Sequence, residues 1–196
     1  DKEGFTKAQK GIAALQKYKI PVVLRTLALK ETFADLDPMI AYAKDAGLIL
    51  QSSLYVSLAA TPCAPKRLNA GEVYLFLERI NEAFGTQHTF SYQCTDTGFS
   101  CSALRSSFFV NYQGYLQPCA MLDSPKESVR NHNLYDVFLA LQKETENKSY
   151  CAACKECALQ ASCLQCPARL YLEQSQNQCS AYLKSLAKYK QKRGVL

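Results

Sequence analysis

The first sixty residues alternate between two hydrophobic patterns. Ala8, Ile12 and Leu15 recur at the spacing of one helix face, which predicts an amphipathic helix. The apolar run at positions 20–29 predicts a strand covered on both faces, because such strands lack polar alternation. A second helical stripe follows, and then a second apolar run at 48–58. This order predicts βαβ crossovers and a parallel sheet.

Boundary residues predict where several helices start and end. Asp37 is suited to the N-cap of the second helix, and Gly47 is suited to end it in a left-handed conformation. Asn69 and Glu72 have the spacing of a capping box at the start of a third helix. Gly85 is expected to terminate that helix.

The second half of the chain predicts a β-hairpin followed by helices. Positions 106–119 contain two short apolar strands around a turn at Gln113 and Gly114. Asn133 precedes a helical stripe and is expected to cap it. Pro167 is expected to begin a final helical stretch that becomes basic towards its end.

The two predicted parallel strands are too few for a closed barrel. A complete βα barrel needs about 200–250 residues, and the alternating pattern occupies only positions 1–62. A two-stranded sheet with open edges and an uncovered face is a poor independent domain. We therefore expect the end of a barrel whose N-terminal half is missing. Its exposed edge is expected to pair with a second copy or to be partly disordered.

Charge and hydropathy exclude several classes of partner. The 196-residue chain has a formal net charge of +6. Five basic residues cluster near its end, at Lys184, Lys188, Lys190, Lys192 and Arg193. Mixed charges elsewhere, without a groove-reading motif, favour a solvated helix face over a nucleic-acid interface. Because no long apolar run or apolar leader is visible, we expect no membrane span and a cytoplasmic location.

The ten cysteines are the main chemical signal. Six of them lie between positions 151 and 179, and they include the pairs Cys154/Cys157 and Cys163/Cys166. Thiolates are soft ligands that bind zinc, copper or iron–sulfur clusters. A zinc ribbon separates its two pairs by about 15–20 residues, whereas only five residues separate these pairs. The spacing therefore calls for a denser arrangement than a ribbon.

Three arrangements of the cysteines can be weighed from spacing alone. A disulfide scaffold is disfavoured because no secretory signal is visible. A zinc knuckle on Cys154, Cys157, Cys163 and Cys166 would make a protein-interaction module, but several other cysteines would then lack a role. A ferredoxin-like electron carrier would use Cys151 with Cys154 and Cys157. The next cysteine then follows after five residues instead of three.

A longer pattern includes more of the cysteines. Cys101 is followed by Gly114 and, after four further residues, by Cys119. A quartet and a final cysteine come later, at Cys154, Cys157, Cys163, Cys166 and Cys179. This order over residues 94–180 resembles the SPASM domain of radical S-adenosylmethionine enzymes. One spacing departs, because the family has one more residue between the last two cysteines of the quartet.

The resemblance implies two auxiliary 4Fe–4S clusters with interleaved ligands. The first cluster would be held by Cys94, Cys101, Cys119 and Cys166. The second cluster would be held by Cys154, Cys157, Cys163 and Cys179. Cys63 and Cys151 would be spare. In an aerobic preparation, zinc or oxidised, empty sites could replace the clusters.

The resemblance also implies a domain organisation and a function. We expect an α/β fold with a partial βα-barrel remnant at 1–62, a connecting helix at 63–90 and a small α+β SPASM-like domain with a β-hairpin at 91–196. The family's C-x3-C-x2-C motif is absent, because no two cysteines are four positions apart. We therefore expect the C-terminal fragment of a longer oxidoreductase, without catalytic residues of its own. In the parent enzyme, S-adenosylmethionine would be the precursor of the radical that abstracts hydrogen from a peptide or protein substrate.

Overall fold

The computed structural model describes residues 2–53, 55–56, 66–85, 101–146, 154, 156–163, 166–173 and 179–193. These residues divide into two compact units. The N-terminal unit contains the described residues up to 85, and the C-terminal unit contains those from 101 onward.

The N-terminal unit has four helices and two strands in its described residues. In chain order they are α1 (Lys2–Lys17), β1 (Val23–Leu27), α2 (Lys30–Ala34), α3 (Leu36–Asp45), β2 (Ile49–Ser53) and α4 (Ala70–Phe84). The strands are parallel, with Val23 beside Ile49 and Leu27 beside Ser53. This arrangement confirms the predicted strand, helix and parallel strand.

The described residues cover only one face of this sheet. In β2 the side chain of Leu50 is 2% exposed, whereas that of the preceding Ile49 is exposed. In β1 the side chains of Val23 and Leu27 are each 48% exposed. Helices α3 and α4 pack against β2. The expectation that both faces are covered is therefore wrong for the part of the chain that the structure describes.

Two helix ends follow the local chemistry predicted for them. The backbone N–H of Glu72 donates to Asn69 Oδ1 over 3.0 Å, and the N–H of Asn69 donates to Glu72 Oε2 over 2.8 Å. This is the reciprocal capping box. Gly47 follows α3 with φ of +65°, the left-handed conformation predicted for it, and Gly85, also with φ of +65°, ends α4 as predicted.

The start of α3 differs from the prediction. Helix α2, which the pattern does not predict, comes directly before it, and Asp35 occupies the cap position of α3. The assignment of Asp37 as N-cap is therefore wrong, and its carboxylate pairs instead with Arg79 of α4. Leu36 is completely buried, so tertiary packing places the helix start ahead of the local capping preference.

The C-terminal unit combines a small sheet with short helices. In chain order its elements are β3 (Phe109–Val110), β4 (Tyr115–Gln117), β5 (Glu127–Ser128), α5 (Leu134–Glu146), a 3-10 turn (Gln160–Ser162), α6 (Pro167–Leu172) and α7 (Ala181–Arg193). The strands form an antiparallel sheet in the order β3-β4-β5. Strands β3 and β4 confirm the predicted hairpin, whereas β5 is an additional strand.

The turn and cap residues of this unit agree with the sequence pattern. Its last helical stretch, however, is interrupted. Gly114 lies in the hairpin turn with φ of +82°. Asn133 Oδ1 accepts a hydrogen bond from the N–H of Tyr135 over 2.8 Å at the start of α5. The helical stretch predicted to begin at Pro167 consists of two helices, α6 and α7.

No helix in either unit's described residues has both the length and the apolarity needed to cross a membrane.

Candidate metal centre

Cys119 and Cys166 lie at the edge of the hydrophobic core of the C-terminal unit. This core includes Leu116 of β4, Leu141 of α5 and Ala168 of α6, all of which are buried. Both cysteines are half-buried and pack against it. Apolar surroundings control water access to a metal site, so this position suits a protected centre.

A buried amide fixes the chain around Cys119. Gln117 is 4% exposed, and its Nε2 donates to the carbonyl oxygen of Cys119 over 3.1 Å. The same carbonyl accepts from the N–H of Leu122 over 3.2 Å. Asn111 Nδ2 in turn donates to Gln117 Oε1 over 3.3 Å. Sequence reasoning missed Gln117, although a glutamine in a strand two residues before a candidate ligand is the available signal.

Cys166 is placed by the start of α6. It occupies the N-cap, Pro167 is the first helical residue, and the N–H of Arg169 donates to Cys166 Sγ over 3.4 Å. Burial raises the pKa of the Cys166 thiol. The N–H and the guanidinium of Arg169 lower the pKa of this thiol. The charges of Cys119 and Cys101 raise it further.

Cys119 and Cys166 come from separate segments and pack against the same core. The negative charge of Cys101, like that of Cys119, opposes the ionisation of Cys166 and so raises its pKa. The three residues belong to the ligand set that the resemblance implies for the first cluster. The fourth implied ligand, Cys94, lies outside the described residues.

Three implied ligands of the second cluster share one short segment. The N–H of Cys157 donates to the carbonyl of Cys154 over 3.4 Å, and the N–H of Gln160 donates to that of Cys157 over 3.0 Å. The N–H of Cys163 then donates to the carbonyl of Gln160 over 3.2 Å. Successive turns therefore carry all three cysteines. Cys179 is exposed just before α7, and α7 packs against the 3-10 turn of this segment.

The donor set is chemically soft. Seven described cysteines are not in disulfides, namely Cys101, Cys119, Cys154, Cys157, Cys163, Cys166 and Cys179. Within the described residues, no three His, Cys, Asp or Glu side chains are grouped closely enough to hold a single metal ion. Zinc would draw thiolates to about 2.3 Å from one point, whereas the four irons and four sulfides of a cubane keep its thiolates farther apart.

Cys63 and Cys151, the two spare cysteines, lie outside the described residues. His132 is exposed in the turn before α5. No protein-family model, curated protein or solved structure matches the chain. The resemblance to SPASM domains therefore rests on the spacing of the cysteines and Gly114.

Proposed function

We propose that the C-terminal unit is an auxiliary iron–sulfur domain of the SPASM type. It binds two 4Fe–4S clusters through Cys94, Cys101, Cys119, Cys166, Cys154, Cys157, Cys163 and Cys179. In this proposal the chain is the C-terminal part of a radical S-adenosylmethionine oxidoreductase that modifies a peptide or protein. The chain alone performs no turnover, because it lacks the C-x3-C-x2-C motif.

The packing of Cys119 and Cys166, from separate segments, against one hydrophobic core is the observation that carries this proposal. A zinc knuckle or a ferredoxin-like run would use cysteines that are neighbours in sequence. The interleaved ligand set instead requires the last cysteine of the quartet to join two cysteines on the hairpin side of the domain. The shared position of Cys119 and Cys166 at one core agrees with that requirement.

The described residues supply the properties that such a site needs. The core around Leu116 and Leu141 excludes water from one side of Cys119 and Cys166. Gln117 holds the backbone at Cys119, and the start of α6 directs an N–H at Cys166 Sγ. When bound, a 4Fe–4S cluster supplies one-electron transfer, and hydrogen bonds to its sulfurs adjust its potential.

Metal analysis of protein purified and reconstituted without oxygen tests the proposal. Two clusters predict about eight irons and eight sulfides per chain, with broad absorption near 400 nm. About four irons would reduce the proposal to one cluster. Zinc without sulfide, or no iron in a folded protein, would refute it. Cys63→Ser is the matched control, and it is expected to keep the full iron content.

A further inference from the structure

Arg169 is a buried cation beside the candidate centre. Its side chain is only 9% exposed, although arginine is rarely buried without compensation. Moving a guanidinium out of water is costly unless negative charge or hydrogen-bond acceptors lie close to it. The position of Arg169 therefore favours negative charge in its surroundings.

Arg169 lies within one helical turn of the Cys166 sulfur. Its backbone N–H donates to Cys166 Sγ over 3.4 Å within the first turn of α6. Its guanidinium belongs to the same buried residue, three positions after Cys166, so a full positive charge is held beside the first turn of α6. The residue combines a fixed hydrogen bond with a full positive charge in a partly apolar environment. Both features stabilise negative charge at this ligand.

We propose that Arg169 raises the reduction potential of the cluster bound through Cys166. This inference rests on the proposed function. Reduction adds one electron, supplied by an external one-electron donor, and therefore one negative charge to the cluster. No bond to Arg169 forms or breaks. A cation held in a low-dielectric environment stabilises the reduced form more than the oxidised form, which shifts the potential upward.

The effect should be specific to one of the two clusters. Cys166 belongs to the set with Cys101 and Cys119, while the other set consists of Cys154, Cys157, Cys163 and Cys179. The charge at Arg169 should therefore move the potential of the first cluster and leave that of the second unchanged. A loss of general stability would not produce this asymmetry.

Redox titration of the reconstituted full chain, followed by electron paramagnetic resonance, tests the inference. Arg169→Met removes the charge and keeps an unbranched apolar side chain. At the wild-type midpoint, we expect the ratio of reduced to oxidised first cluster to fall about tenfold, a shift of about 59 mV for one electron. Arg169→Lys keeps the positive charge and should restore most of the wild-type ratio of reduced to oxidised first cluster. Arg130→Met, at an exposed position, is the surface-charge control and should match the wild type.

The possible results distinguish the inference about Arg169 from the proposed function. Full iron content with unchanged potentials in Arg169→Met overturns the inference and leaves the proposed function intact. An equal shift of both clusters, or the same shift in Arg130→Met, also overturns it. If Arg169→Met does not retain iron, Arg169→Gln replaces it, and a wild-type potential in that variant overturns the inference. Failure of the wild type itself to bind iron refutes the proposed function first.

Discussion

The backbone N–H of Arg169 donates a hydrogen bond to Cys166 Sγ over 3.4 Å. This bond is local, because α6 begins immediately after Cys166. The sulfur that it reaches is nevertheless influenced by Cys119 and Cys101, which lie far earlier in the chain. Cys166 thus connects a local helix start to Cys119, a cysteine of a distant segment that packs against the same core.

The Cys166 thiol of the metal-free protein should react slowly with iodoacetamide. Burial raises its pKa, and alkylation requires the thiolate. At neutral pH we expect slower labelling at Cys166 than at the exposed Cys101. The difference should narrow as the pH rises above about 8.5, the ordinary thiol pKa. Timed alkylation with peptide mass spectrometry measures both rates. Equal rates in the folded protein would contradict this prediction, and equal rates in denaturant are the control.

Gly114→Ala should destabilise the C-terminal unit. Gly114 has φ of +82°, and an added Cβ would lie 2.9 Å from Arg130 Nε. A left-handed conformation costs a residue with a Cβ roughly 1–2 kcal/mol. Urea unfolding followed by circular dichroism measures the loss.

The double variant Gly114→Ala/Arg130→Ala separates the two causes. It removes the contact with Arg130 but keeps the unfavourable φ. We expect it to recover only part of the lost free energy of unfolding. Complete recovery would show that the contact, and not the backbone conformation, requires glycine at position 114.

Gln117→Ala should loosen the loop that carries Cys119. The substitution removes the Nε2 donor to the Cys119 carbonyl and leaves Asn111 Nδ2 without that acceptor. Loss of a buried hydrogen-bond partner costs about 1–3 kcal/mol. In the reconstituted protein we expect faster transfer of iron to a chelator. Gln113→Ala changes an exposed amide in the same hairpin and should not alter the rate. Identical rates of iron transfer in the two variants would show that Gln117 does not help to retain the iron.

The capping box of α4 should contribute measurably to the N-terminal unit. Asn69→Ala removes a side chain that accepts the N–H of Glu72, and such caps contribute about 1 kcal/mol. Glu72→Ala should also destabilise the unit, because the N–H of Asn69 loses its acceptor. Glu72→Gln keeps an acceptor oxygen and is the matched control. Thermal unfolding of the three variants should show clear losses for both alanine substitutions and little change for Glu72→Gln.

The exposed face of the parallel sheet should promote self-association. Val23, Leu27 and Ile49 present apolar surface that the described residues leave uncovered. Sedimentation velocity over a range of concentrations should show dimers, and Leu27→Lys should weaken them. Leu75→Lys places the same charge on a comparably exposed leucine of α4 and should leave association unchanged. A concentration-independent monomer in the wild type would contradict this expectation.

Elements governed by short-range chemistry could be predicted from the sequence. The capping box at Asn69 and the left-handed glycines at 47, 85 and 114 need only local backbone and side-chain geometry. The N-cap of α3 could not be predicted, because the burial of Leu36 depends on contacts with other elements. The strand β5 could not be predicted for a different reason. A segment of two residues carries almost no periodic signal.

The candidate site could be predicted only in part. Cysteine spacing identified the candidate ligands, but it could not show that Cys119 and Cys166 pack against the same core. Gln117 and Arg169 carry no motif, and their relevance depends on burial and hydrogen bonds that only the folded chain reveals. Spacing along the chain thus indicates donor chemistry, whereas tertiary contacts determine which donors meet.

The most direct test of the account asks which cysteines share a cluster with Cys166. Cys166→Ser, Cys119→Ser and Cys154→Ser are reconstituted separately, and the iron content and paramagnetic resonance spectrum of each remaining cluster are compared. We predict that each variant retains about four irons. The spectra of Cys166→Ser and Cys119→Ser should coincide and should differ from that of Cys154→Ser. A spectrum of Cys166→Ser that coincides with that of Cys154→Ser would assign Cys166 to its sequence neighbours and contradict the interleaved centre.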